Sequence, residues 1–213
     1  MVKSLAKLAP RLELMLFLGG VPLWVLFQES YLLRRGVLLA AGVYVVARLW
    51  NKVSWRRLFG KPQPGWWKWP LFRVVLAFAL LAGFVLLFQP ATFFDLPREH
   101  TGLWFAFVLL YPVLSVLPQE LIYRVYIFET HTYLLNPPFA ALLTSAIFFA
   151  WVHIVFAGWL AVVSSFAAGL ALGWNYLQNR DAPGAIWPLA LEHSLYGQIV
   201  FSIGLYQHFF LPR

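Results

Sequence analysis

Long apolar runs separated by short polar segments make up most of the chain. Most runs approach the roughly 20 residues that a helix needs to cross a bilayer, and none shows the period-two alternation of a membrane-spanning strand. The sequence therefore predicts an all-α, polytopic membrane protein with about seven transmembrane helices (about six to eight). The expected spans are approximately Leu12–Gln28, Gly36–Trp50, Leu71–Gln89, Leu103–Phe128, Phe139–Ala157, Trp159–Leu177 and Ala185–Phe210, the last with a second short helix near Gly204.

The composition excludes several other classes of protein. Of the 213 residues, 62% are hydrophobic and only 11% are charged, whereas soluble domains usually carry about 25% charged residues. The mean hydropathy is +0.73, so a water-soluble monomer would have too few charges to cover its surface. Aromatic residues make up 19% of the chain, which excludes disorder. Because there is no cysteine, disulfide frameworks, cysteine nucleophiles and thiolate metal sites are excluded as well.

The basic residues predict an orientation in the membrane. The net charge is +8, and the segment between the second and third spans contains no acidic residue. Its basic residues are Arg48, Lys52, Arg56, Arg57, Lys61, Lys68 and Arg73. Since positively charged segments stay in the cytoplasm, we expect this segment and the N-terminus, with Lys3, Lys7 and Arg11, to be cytoplasmic. No cleavage site follows the first apolar run, so it is expected to be retained as a span, and no basic folded module indicates nucleic-acid binding.

Two acidic residues, Glu120 and Glu192, lie inside apolar runs, whereas the other acidic residues lie at span ends or in loops. A charge within the membrane is costly and normally faces the protein interior. Glu120 and Arg124 are four residues apart and therefore share one face of a helix. Two interpretations stay open for them: a structural ion pair, or a carboxylate held by Arg124 while it serves as a general base.

Two histidines, His153 and His193, lie in two further apolar runs. A lone histidine in an apolar helix is more often a core residue, but two histidines and a glutamate on three spans are typical of sites that hold and deprotonate water. They can do so directly or through a metal ion. We expect one integral-membrane domain over 1–213, with a catalytic core over approximately 103–210.

The order of these motifs resembles the CAAX protease and bacteriocin-processing (CPBP) family of intramembrane endopeptidases. The matching elements are Glu120-x-x-x-Arg124, Phe149-x-x-x-His153 and a third element with His193. The resemblance implies that Glu120 deprotonates a water that attacks a peptide carbonyl. His153 and His193 would polarise the carbonyl, stabilise the oxyanion or, with Glu120, bind a divalent metal such as zinc. We favour the metal-free form, acting on a membrane-associated protein or peptide in a bacterial inner membrane.

Two positions depart from the family pattern. Gln119 stands where the family usually has a first, water-activating glutamate, so either Glu120 takes that role or the chain is inactive. Gly197 stands where an asparagine usually follows the third-motif histidine. The missing hydrogen-bond donor could be replaced by Gln198, Ser194 or Gln119. If Glu120 were a metal ligand instead of the base, Glu192 would be the only nearby acid left.

Three functions remain open from the sequence. The first is an intramembrane endopeptidase. The second is a non-catalytic relative that acts in immunity or partner binding, as the two departures suggest. The third is a proton or ion transporter that uses the same intramembrane residues as a relay.

Overall fold

The computed structural model describes residues 10–131, 135, 137–156 and 158–210, and it contains no β-strand in these residues. The basic residues Lys3 and Lys7 lie outside the described residues. The prediction of an all-α protein is confirmed, as expected where lipid offers no partner to the backbone and helices satisfy their own hydrogen bonds. The helices are α1 (residues 10–26), α2 (Tyr31–Leu49), α3 (Trp55–Leu58), α4 (Lys68–Phe88), α5 (Asp95–Glu99), α6 (Thr101–Thr130), α7 (Pro138–Val152), α8 (Trp159–Asn179), α9 (Ile186–Ser202) and α10 (Gln207–Phe210).

Among the described residues, four helices are long and apolar enough to cross a membrane. They are α4, α6, α8 and α7, the last counted with the short 3-10 extension that carries it to Val155. Helices also occupy the other three expected spans, as α1, α2 and α9. The short helix expected near Gly204 is present as α10. Gly204 has a φ of +92°, and a Cβ there would overlap the carbonyl of Thr92, so only glycine fits this turn.

Helix α6, which carries Glu120, contains two wide π-helical turns, Pro112–Val116 and Leu121–Tyr126. The first begins at a proline, which has no backbone N–H to donate. The second begins directly after Glu120. Such turns are frequent at functional sites because they change the direction of side chains within a continuous helix.

Helices α7 and α8 pack with their backbones close together. A Cβ at Gly169 of α8 would lie 2.8 Å from the Cα of Ala146 of α7, so two small residues meet at this crossing, as is usual in membrane helices. The Ser145 hydroxyl donates a 2.7 Å hydrogen bond to the Tyr123 carbonyl and ties α7 to α6. These contacts fix the position of the Phe149–His153 segment relative to Glu120.

Glu13 joins three helices. Its carboxylate accepts hydrogen bonds from Tyr44 and Arg48 of α2 and from Tyr126 of α6. The sequence placed Glu13 at a span end, and it does lie near the start of α1, but its spacing gave no sign of these hydrogen bonds. Arg48, expected as a charge of the cytoplasmic segment, lies within α2 and forms an ion pair with Glu13.

Candidate active site

Glu120 of α6 and His193 of α9 meet inside the helix bundle. The His193 Nδ1 and the Glu120 Oε1 are 2.6 Å apart, and the two residues are 4% and 0% exposed. Paired with an ionised carboxylate, which only accepts hydrogen bonds, Nδ1 is the donor and Nε2 is the ring nitrogen left to accept. The same pairing orients imidazole bases in many hydrolytic sites, because it fixes both the tautomer and the direction of the ring.

Arg124, one turn after Glu120, supplies the charge that balances the carboxylate. Its Nη1 lies 3.4 Å from the Glu120 Oε1, and both side chains are fully buried. The guanidinium also lies 4.2 Å above the centre of the Phe149 ring. A cation placed over an aromatic face away from water gains about 2 kcal/mol or more, and this gain offsets part of the cost of burying the charge.

His153 lies at the end of α7, and Phe149 stands between it and the rest of the site. The His153 Nδ1 is 2.6 Å from the Phe149 carbonyl oxygen. A carbonyl oxygen can only accept, so this Nδ1 carries a proton and the Nε2 of the neutral ring is an acceptor. The Phe149 ring contacts both imidazoles, at 4.8 Å from His153 and 5.2 Å from His193.

A cavity of about 910 Å³ opens beside these residues. Most of its wall is apolar, and Gln119, His153, His193 and Tyr111 belong to it. Glu120 is not among the described residues that line the cavity, whereas His193, whose Nδ1 contacts it, lies on the wall. An apolar cavity with a few polar groups on one wall is the usual form of a binding site.

The three donors that the sequence offered in place of an asparagine at position 197 have different surroundings. The Gln119 side chain lines the cavity and donates a 2.7 Å hydrogen bond to the Ser115 hydroxyl. The Gln198 amide nitrogen lies 3.4 Å from the Phe107 carbonyl oxygen. Neither Gln198 nor Ser194 is among the described residues of the cavity wall.

Glu192 is adjacent to His193 in sequence but belongs to a separate group of polar residues. Arg73 of α4 binds its carboxylate with two hydrogen bonds of 2.6 and 2.7 Å. Asn175 and Tyr196 donate to it as well, at 2.9 and 2.8 Å. The carboxylate is fully buried and holds α4, α8 and α9 together. Arg73, expected as a charge of the cytoplasmic segment, lies within α4 and serves this contact.

The sequence interpretation did not single out Tyr111 or the role of Arg73. Tyr111 lines the cavity, and its ring packs edge-on against His193 with 6.0 Å between ring centres. A tyrosine within an apolar run is common in membrane helices. No local signal separates Tyr111 from its neighbours, and only the packing of α6 against α9 reveals its position.

The arrangement of candidate metal ligands differs from that of a zinc site. Within the described part of the chain, no group of three His, Asp or Glu side chains is placed to hold a metal ion together. The His193 Nδ1 contacts Glu120 and the His153 Nδ1 contacts a backbone carbonyl. As placed, these three residues do not form the three-ligand set of a catalytic zinc.

The segment from α6 into α9 matches a known family. Residues 101–198 match the family described as Type II CAAX prenyl endopeptidase Rce1-like. This segment of the chain is similar to the Rce1-like family. The matched residues include Glu120, His153 and His193, and the resemblance to CAAX proteases is confirmed. The family is one of membrane proteases. No curated protein and no solved structure matches the chain.

Proposed function

We propose that the chain is an intramembrane endopeptidase that hydrolyses a peptide bond of a membrane-associated substrate. The observation that carries this proposal is the Glu120–His193 hydrogen bond at the wall of a large apolar cavity. The match of residues 101–198 to the Rce1-like family supports the protease class. The geometry supports an activated water, because a buried carboxylate orients an imidazole whose second nitrogen is left for a group in the cavity.

His193 is the group that contacts the water in this proposal. As the water oxygen forms a bond to the peptide carbonyl carbon, the His193 Nε2 takes the proton and the carbonyl π electrons move to the oxygen. The C–N bond then breaks, and the departing amine takes the proton from His193. Glu120 stabilises the imidazolium, so it activates the water through His193 rather than by direct contact. This order is supported by the full burial of Glu120 and by its absence from the described residues of the cavity wall.

His153 and Arg124 support the same step from two sides. The His153 Nε2 is an acceptor in the neutral ring, so it holds the second hydrogen of the water. Arg124 places a positive charge 3.4 Å from the Glu120 carboxylate and so balances its negative charge inside the bundle. The reaction is proposed without a metal ion, which agrees with the arrangement of the candidate ligands.

The substrate is proposed to be a peptide with an apolar anchor, such as a prenylated or otherwise lipidated tail. The largely apolar wall of the cavity supports an apolar ligand, and the name of the matched family refers to prenylated CAAX substrates. We further propose a single domain in a bacterial inner membrane with a cytoplasmic N-terminus. In this arrangement α1, α2 and α9 cross the bilayer together with the four longer apolar helices.

The proposal is tested with the full chain in proteoliposomes and a quenched fluorescent peptide that carries a farnesylated cysteine. The comparison is between the wild type, Glu120→Gln and His193→Ala, with Glu99→Gln as a control at an exposed acid. We expect Glu120→Gln to lower kcat by about 10²- to 10⁴-fold, and the control to be unchanged. In a second experiment, newly formed protein termini are compared between membranes that contain the wild type and membranes that contain Glu120→Gln. This comparison detects cleavage of peptide substrates other than the farnesylated one. Absence of cleavage by both forms, together with no difference in termini, would favour a non-catalytic relative.

A further inference from the structure

The proposed reaction needs a hydrogen-bond donor for the oxygen of the tetrahedral intermediate. Both candidate imidazoles have their proton on Nδ1, at the Glu120 carboxylate and at the Phe149 carbonyl, so their Nε2 atoms accept rather than donate. His193 becomes a donor only after it has taken the proton of the water. Position 197, one turn after His193, is a glycine and offers no side chain. The donor must therefore come from another helix.

Tyr111 of α6 occupies the space that a side chain at position 197 would fill. A Cβ at Gly197 would overlap the phenol ring and would lie 2.8 Å from its hydroxyl oxygen. The ring is held between His193 and Phe201, with ring centres 6.0 and 5.0 Å away and near-perpendicular planes. Gly197 is thus the reason that the phenol can lie against α9, one helical turn from His193.

The Tyr111 hydroxyl makes no hydrogen bond to any of the described residues, although the ring lines the cavity. Tyrosine hydroxyls in apolar surroundings usually have a partner, because an unpaired polar group away from water is costly. By contrast, the hydroxyl of Tyr196, which belongs to α9, donates to Glu192. A hydroxyl on the wall of a candidate active site that has no partner among the described residues is available to a bound ligand.

We propose that the Tyr111 hydroxyl donates the hydrogen bond that stabilises the oxyanion, in the place left by Gly197. This inference rests on the proposed protease function. Tyr111 keeps its proton throughout: the carbonyl oxygen gains negative charge as the water attacks, accepts the hydrogen bond, and loses the charge when the C–N bond breaks. A donor aimed at charge that develops only in the transition state raises kcat and has little effect on substrate binding.

Tyr111→Phe is the direct test, because it removes the hydroxyl and keeps the ring that packs on His193. In the proteoliposome assay we expect kcat to fall by about 10²- to 10³-fold, with KM and the midpoint of thermal unfolding unchanged. The matched control is Tyr206→Phe, whose hydroxyl contacts Asp95 outside the cavity, and it should keep wild-type kcat. A peptide phosphinate that mimics the tetrahedral intermediate should bind Tyr111→Phe more weakly by the same factor as kcat falls.

A rescue experiment separates an oxyanion donor from a packing role. Tyr111→Ala opens the space beside Gly197, and Gly197→Asn in that background places an amide donor there. The double variant should recover part of the kcat that Tyr111→Ala loses, whereas Gly197→Asn alone should be unstable because its side chain overlaps the phenol.

The outcomes distinguish the two proposals. If the wild type cleaves, Glu120→Gln does not and Tyr111→Phe is as active as the wild type, the role of Tyr111 is refuted and the protease proposal stands. If the wild type and Glu120→Gln behave alike, the protease proposal itself fails. A fall in thermal stability of Tyr111→Phe that accounts for its loss of activity would also overturn the oxyanion role.

Discussion

The Glu120 carboxylate and the His193 imidazole, 73 residues apart in the chain, are joined by a 2.6 Å hydrogen bond within the helix bundle. Arg124 and Phe149 surround this contact, one with charge and one with an aromatic face. This contact pairs a polar group of α6 with one of α9. Without its partner, each group would be buried unpaired in apolar surroundings, which costs free energy. The following predictions separate its chemical role from its contribution to stability.

Replacement of Arg124 by leucine is expected to abolish cleavage while the protein stays in the membrane. It leaves Glu120 fully buried without its cation, and the loss of one partner of a buried ion pair costs about 3–5 kcal/mol. Thermal unfolding in detergent should show the loss of stability, and the proteoliposome assay the loss of cleavage. Arg56→Leu, at an exposed position of α3, serves as the control and should change stability by no more than about 0.5 kcal/mol.

The double variant Arg124→Leu/Glu120→Gln distinguishes stability from catalysis at this pair. Removal of both charges should restore much of the stability that Arg124→Leu loses, because no unpaired ion remains. Cleavage should stay absent, since the imidazolium of His193 has no carboxylate beside it. Full cleavage by Arg124→Leu, or recovery of cleavage in the double variant, would contradict the assigned roles.

Arg73→Leu should destabilise the protein without a specific effect on the reaction. Glu192 is fully buried and would keep only its bonds to Asn175 and Tyr196, so we expect a loss of about 3–5 kcal/mol. The kcat of the folded fraction, determined by active-site titration with the phosphinate inhibitor, should match the wild type. A loss of kcat as large as that of Glu120→Gln would place Glu192 in the reaction.

Gly169→Ala and Gly83→Ala should change stability in opposite directions. A Cβ at Gly169 would lie 2.8 Å from the Ala146 backbone, whereas a Cβ at Gly83 of α4 meets nothing within 4 Å. Overpacking at a tight contact costs about 1–3 kcal/mol, and alanine favours a helix over glycine by up to about 1 kcal/mol at an open position. Midpoints of thermal unfolding measured side by side would reveal the difference, and a stabilised Gly169→Ala would contradict the close packing of α7 on α8.

The sequence alone was sufficient for the class of fold and for the choice of unusual residues. A helical pattern and a mean hydropathy are local properties, so the helices lie close to the predicted apolar runs. Glu120, His153 and His193 stood out because a polar group within an apolar run is costly wherever the run packs. The pairing of Glu120 with Arg124 also followed from their spacing on one helix.

Contacts between helices depended on the tertiary structure. The sequence placed Glu13 at a span end and Arg73 in the basic segment, and it did not indicate the ion pair that each forms with another helix. Glu192 and His193 are neighbours in sequence but bond to different partners, because adjacent helical positions point about 100° apart. Tyr111 and Gly197 show the same limit most clearly. Gly197 of α9 matters for the site only because the Tyr111 phenol of α6 fills the space beside it. Such complementarity of shape between distant segments leaves no periodic signal in the sequence of either segment.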